Sequence, residues 1–156
     1  MKEGVLIAML CIGLALSAAP ISPETHAAVM RIADIAGVPR SVAHALMWEE
    51  SRGSATARSQ RTAEGYRSWG LFQIYDKPEN LSYLVDQFWY GAGEADAFDI
   101  LDPIHNSRIA LRYLSALHRQ YGNWFQALLF YNHGDIQGAS EETRRYARRI
   151  VLAGEP

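Results

Sequence analysis

Residues 39–51 read PRSVAHALMWEES, and this stretch decides the fold. Val42, Leu46 and Met47 recur at helical spacing, so the segment is a helix that begins around Pro39 to Ser41 and ends near Glu50 or Ser51. Projection from those three apolar positions puts Glu50 nearer the centre of the apolar face than Glu49. A carboxyl aimed at apolar surroundings is desolvated, which disfavours its charged form and raises its pKa. Such a group can hold a proton near neutral pH and give it to a leaving oxygen. On position alone, paired acids at a helix end are more often solvated. The rest of the chain has to decide between the two.

Working outward, Ser22-Pro23-Glu24 is a helix start, with a cap, a proline at the first position and an early acid. That helix is expected to carry Ala28, Val29, Ile32 and Ile35 inward and to stop near Gly37. On the other side, Arg52 to Ser68 is polar, contains glycine and lacks periodicity, which makes it a long loop. Gly70-Leu71-Phe72-Gln73-Ile74 is a short apolar segment, a strand or a tight turn. Asn80 to Asp99 holds a short helix (Leu81, Leu84, Val85, Phe88) and a Gly91-Ala92-Gly93 break. A strong helix follows from Asn106, with Ile109, Leu111, Tyr113, Leu114 and Leu117. Gly122-Asn123 ends it and opens another from Trp124 to about Phe130. After a turn at Gly134 to Gly138 comes a last helix, Glu141 to Leu152, where Glu141 and Arg145 are spaced to pair. No internal repeat is visible. The expectation is one compact, mainly α domain with a small irregular or β-like segment near the cleft.

The 156 residues fit a single domain, and 49% apolar with 21% charged residues is a globular balance. A formal net charge of -2 gives no reason to expect nucleic acid as a partner. At the N-terminus, Lys2, the apolar run Val5 to Leu16 and the small residues Ser17-Ala18-Ala19 read as an export signal over residues 1–19. An uncleaved anchor is the alternative, although the run is short for a membrane span. The only cysteine, Cys11, lies inside that segment, so the domain from 20 to 156 would have no disulfide. The five histidines show no metal-ligand spacing on a shared helix face, so no metal site is expected. Trp69, Phe88, Trp89 and Tyr90 are sugar-platform candidates, although core packing is the commoner fate.

The motifs agree in order. Glu50-Ser51, Gly70-Leu71-Phe72-Gln73-Ile74, Tyr131-Asn132-His133-Gly134 and Thr143-Arg144-Arg145-Tyr146 together resemble the motif series of soluble lytic transglycosylases, in the lysozyme-like superfamily. Asp102-Pro103 with Asn106, and Tyr121-Gly122-Asn123-Trp124, resemble that family's helical connector. The resemblance spans roughly Ala33 to Ile150 and implies an α+β lysozyme-like fold. It also implies that Glu50 is the catalytic acid/base, with Ser51 beside it to orient the carboxyl or the substrate. By the same resemblance Gln73 lines the cleft, Tyr131 and Asn132 contact the glutamate and the sugar's N-acetyl group, and Tyr146 lies close to the acid. Two departures stand out. Phe72 replaces a commoner methionine, and the loop from Glu50 to Gly70 is a few residues longer than usual.

The implied substrate is the glycan strand of peptidoglycan, the implied place the periplasm or cell envelope, and no cofactor is implied. Ordinary glycosidases use two carboxyl groups, yet no second acid is tied to a motif here. Glu64, Asp76 and Asp102 fall in loop-like stretches as solvated charges or caps. The resemblance therefore implies cleavage between N-acetylmuramic acid and N-acetylglucosamine with closure of a 1,6-anhydro ring. A lysozyme-type hydrolase on the same scaffold, or a non-catalytic wall-binding module, are the alternatives. Wall turnover, a secretion or conjugation complex and a phage role all remain compatible with the sequence.

Overall fold

The computed structural model describes residues 19–154. The expected export segment, with Cys11, lies outside the described residues apart from Ala19. Among the described residues, six α-helices and one two-stranded hairpin follow in the order α1 (Pro23–Ala36), α2 (Arg40–Ser51), β1 (Ser68–Trp69), β2 (Ile74–Tyr75), α3 (Pro78–Phe88), α4 (Pro103–Tyr121), α5 (Trp124–His133) and α6 (Glu141–Gly154). A short 3-10 turn, Tyr90–Ala92, follows α3.

Local chemistry sets several helix ends. Ser22 caps α1 by accepting from the Thr25 amide, Asp102 caps α4 through the Ile104 and His105 amides, and Asn123 caps α5 through that of Gln126. Each cap satisfies donors the helix leaves orphaned and contributes about 1 kcal/mol. Asp102 thus moves the start of α4 to Pro103, three residues before the apolar periodicity becomes visible in the sequence. At the other end of the bundle, α5 runs on to His133, so Tyr131 and Asn132 lie on a helix and not in the turn after it.

The core is built around α4, whose Ile109, Ala110, Leu111, Leu114 and Leu117 are buried. Helices α1, α3 and α5 pack on it, while α6 packs on α2 and α5. One expectation about α1 is corrected. Val29, Met30 and Ala33 form its buried face, and Ile35 is 83% exposed. The face is rotated because α1 must meet α4, and Ile35 near the C-terminal end projects past that contact.

The segment from Gly70 to Ile74 is both of the things expected of it, a tight turn leading into a strand. Residues 70–73 turn the hairpin, and Ser68 and Trp69 pair antiparallel with Tyr75 and Ile74. Among the described residues no helix is long and apolar enough to cross a membrane.

Candidate active site

Three helices meet around Glu50. It ends the apolar stripe of α2, where Leu46 and Met47 are buried, and is itself half-buried. From α6, the Tyr146 hydroxyl donates a hydrogen bond to Glu50 Oε1. Tyr131 of α5 is fully buried and close enough for the glutamate's charge to raise its own pKa further, on top of burial. Burial among these groups pushes the Glu50 carboxyl up to about 8, against the opposing pull of the Tyr146 hydrogen bond and with a smaller push from Glu49. At neutral pH the group therefore carries a proton. Tyr146 is held protonated too, by burial first and by the adjacent glutamate second, so it remains a donor.

The neighbouring acid has a different fate. Glu49 accepts from Arg149 Nε at 3.1 Å and from its other guanidinium nitrogen at 2.9 Å, a forked ion pair between α2 and α6. Helical geometry gives Glu50 the inner position and Glu49 the rim, as the projection from Val42, Leu46 and Met47 expects.

Behind the acid, the hairpin turn is held by side chains bonded to backbone. Asn106 of α4 does most of this: Oδ1 accepts from the Phe72 amide at 2.9 Å, and Nδ2 donates to the Trp69 and Ile100 carbonyls at 3.0 and 2.9 Å. Gly70, at φ 79°, sits against it. A Cβ there would fall on Asn106 Nδ2 and come within 3.0 Å of the Ile100 carbonyl, so the turn needs glycine for space and for conformation. Tyr131 links the two regions by donating its hydroxyl to the Phe72 carbonyl at 2.8 Å.

The motif residues are thus not equivalent. Glu50 and Tyr146 touch directly, and Tyr131 packs near them with its proton committed to the turn. Gln73 is buried with φ 50°, and its amide nitrogen donates to the Gly70 and Ala57 carbonyls at 2.9 and 3.3 Å. Its visible work is to close the turn. Ser51 is buried and donates to the Met47 carbonyl at 3.2 Å. Asn132 is buried beside Tyr131, and its Nδ2 has no hydrogen-bond partner, an unusual condition for a buried donor. His133 occupies the last turn of α5, half-buried.

The three loop acids weighed as a second carboxylate are engaged elsewhere. Asp76 accepts from the Arg67 amide and Trp69 Nε1, Glu64 pairs with Lys77, and Asp102 caps α4. Of the aromatic candidates, Trp89 is core, donating to the Asp96 carbonyl, and Phe88 packs on Tyr83 and Tyr113. Trp69 is half-buried with its indole nitrogen tied to Asp76, and Tyr90 is exposed. Among the described residues no group of three or more His, Cys, Asp or Glu is placed to hold a metal.

Sequence reading missed the part played by Asn106 and the Glu49–Arg149 fork. The first had a signal, a polar residue one turn before Ile109 and Ala110 on an apolar face. The second joins residues 100 positions apart, which local pattern does not connect.

Comparison with known proteins identifies the family. Residues 28–152 match the family model described as transglycosylase SLT domain. No curated protein sequence matches. Among solved structures, the chain is similar to an inactive mutant of the lytic transglycosylase Slt from Pseudomonas aeruginosa, with a TM-score of 0.64 and 23% identity. The likeness covers 82% of this chain and 23% of that one, so it speaks for the fold of one part of a much longer protein. With four-fifths of its length matched by the family model, the chain belongs to the transglycosylase SLT domain family.

Proposed function

We propose that this protein is a peptidoglycan lytic transglycosylase in which Glu50 acts first as acid and then as base. The observation that carries the reading is a carboxyl at the buried end of α2 that accepts from the Tyr146 phenol, while the adjacent Glu49 is tied to Arg149. Glu50 gives its proton to the oxygen bridging N-acetylmuramic acid and N-acetylglucosamine, and the bond from C1 to that oxygen breaks. The sugar's own N-acetyl group stabilises the positive charge developing at C1, in place of a second carboxylate. Glu50, now a carboxylate, takes the proton of the muramic C6 hydroxyl as O6 bonds to C1. The 1,6-anhydro ring closes, the acid is restored and no water is consumed. A proton affinity near the working pH suits a group that must give and retake a proton in one cycle.

Tyr146 supports both halves. Its hydrogen bond stabilises the carboxylate and so keeps the raised pKa from climbing beyond use. Asn132 offers its unpaired amide nitrogen to the N-acetyl carbonyl after a small side-chain rotation, a role that accounts for an orphaned buried donor. Gln73 and Tyr131 fix the hairpin turn, and Ser51 fixes the end of α2. Residues 1–19 would direct export to the periplasm or envelope, and N-terminal sequencing of the mature protein tests that. Service to a secretion or conjugation complex is a finer proposal, which co-purification of the assembled apparatus tests.

The deciding experiment is mass spectrometry of muropeptides released from purified peptidoglycan, with a Glu50→Gln control. Products ending in 1,6-anhydromuramic acid, absent with the mutant, are expected. Reducing-end products, heavier by one water, would make the protein a lysozyme-type hydrolase. Release by neither protein would leave a wall-binding module.

A further inference from the structure

Two adjacent acids at the end of α2 are met by two residues one turn apart on α6. Tyr146 takes Glu50 and Arg149 takes Glu49. The fork between Arg149 and Glu49 is bidentate, and Glu49 is the better covered partner, its side chain 18% exposed against 53% for Arg149. A bare carboxylate at position 49 would stand directly beside the acid that has to lose its proton during the cycle. Like charges disfavour one another's ionised forms, and partial burial limits how far water can screen them.

We propose that Arg149 is a positioning residue: by neutralising Glu49 and fixing α6 in register with α2, it keeps Glu50 able to release its proton. This rests on the reading of Glu50 as the acid/base. The fork does two things at once. It cancels the negative charge nearest the carboxyl, and it sets the rotation of α6 that brings Tyr146 to Glu50, since residues three apart on a helix share a face.

The other charged and titratable groups around the site are few. On its own helix Glu50 has Glu49. From α6 come Tyr146 and Arg149, with Glu142 further out acting on Arg149, and from α5 comes Tyr131. The titratable groups of α1 that meet α2 do so elsewhere, as His26 on His44 and Asp34 on Arg40. The Arg149 hydrogen bonds go to Glu49 and not to Glu50, so its influence passes through Glu49.

The test is a titration of the Glu50 side-chain carboxyl by carbon-13 NMR in the full chain, which reads the acid without any turnover. It is run on wild type, Arg149→Met, Arg149→Lys, Glu49→Gln and the Glu49→Gln/Arg149→Met double variant. Arg149→Met should raise the Glu50 midpoint by roughly half a unit, with the alkaline limb of the activity profile moving by the same amount. Glu49→Gln should lower it. In the Glu49→Gln background, Arg149→Met should change nothing, because the charge that the arginine answers is gone. Arg149→Lys keeps the charge and should hold the midpoint near wild type; if Arg149→Met does not fold, the contrast between Arg149→Lys and an Arg149→Gln variant replaces it. An unmoved midpoint in Arg149→Met, or an equal shift with and without Glu49, overturns the proposal. Expected shifts in a protein that releases no muropeptide would uphold this coupling and defeat the enzymatic reading; anhydro products with an unmoved midpoint would do the reverse.

Discussion

The helical cradle around Glu50 and the hairpin behind it are held together in opposite ways. In the cradle, α2, α5 and α6 meet chiefly through buried apolar and aromatic side chains, with the Tyr146–Glu50 hydrogen bond inside and the Glu49–Arg149 fork at the rim. In the hairpin, two residue pairs of strand are secured by polar side chains reaching backbone, from Asn106, Gln73, Asp76, Ser59 and Tyr131. The cradle sets an acidity, since burial is what raises the proton affinity of a carboxyl. The hairpin sets a shape. Each region fails in its own way, and substitutions can separate the two.

The largest expected effect belongs to the cradle. Glu50→Gln should lower activity by about 10²- to 10⁴-fold, measured as release of soluble muropeptide. The same variant should be more stable than wild type as pH rises. Glu50 titrates near 4.5 when unfolded and at about 8 when folded, so between those values the folded state binds more protons and loses stability with rising pH. Glutamine has no such loss and still accepts from Tyr146. A gain of about 2 kcal/mol at pH 8 that vanishes at pH 4, measured by denaturant unfolding, is expected after allowing for the acid's partial exposure. A gain independent of pH would mean that burial is not what shifts the acid.

Next comes the hairpin. Asn106→Ala strands one amide and two carbonyls at once, at a cost of about 3 kcal/mol or more, and Gly70→Ala should cost a similar amount through clash and strain at positive φ. Both are read by thermal unfolding. If the comparison is right, whatever folded protein remains keeps the raised midpoint of Glu50, because acidity does not come from the turn. Tyr146→Phe should do the reverse, lowering activity by about tenfold to a hundredfold and moving the alkaline limb upward, since a donor that favours the carboxylate is lost. The smallest effect should be that of Tyr131→Phe, about 1 to 2 kcal/mol of stability, and it is the sharpest probe, because this hydroxyl joins the two regions.

The same contrast explains what the sequence disclosed. Helices announce themselves through apolar spacing and caps, so α2, α4 and α6 are legible, and so is the inner position of Glu50 relative to Glu49. The rotated face of α1 was not, because Ile35 is apolar and in phase, yet only the direction of approach of α4 decides which stripe is covered. The turn and strand at Gly70 to Ile74 were legible, but not the bonds that hold them, which run from Phe72 to Asn106 and to Tyr131, 34 and 59 residues away. Local pattern has no access to such distances. The motif resemblance picked out Tyr146 and Asn132 as site residues. It set Tyr146 close to the acid, where its hydroxyl bonds Glu50, but did not disclose that the visible bonds of Gln73 and Ser51 are to backbone.

The partner of Glu50 lies 96 residues further along the chain. A chain still being synthesised, with residues 141–154 inside the ribosome, has a glutamate at the end of α2 with neither its phenol nor the wall of α6 that desolvates it. In that state the carboxyl faces water and titrates as an ordinary one, too acidic to carry a proton at neutral pH. The raised proton affinity of Glu50 therefore waits on α6, the helix that brings Tyr146 to it.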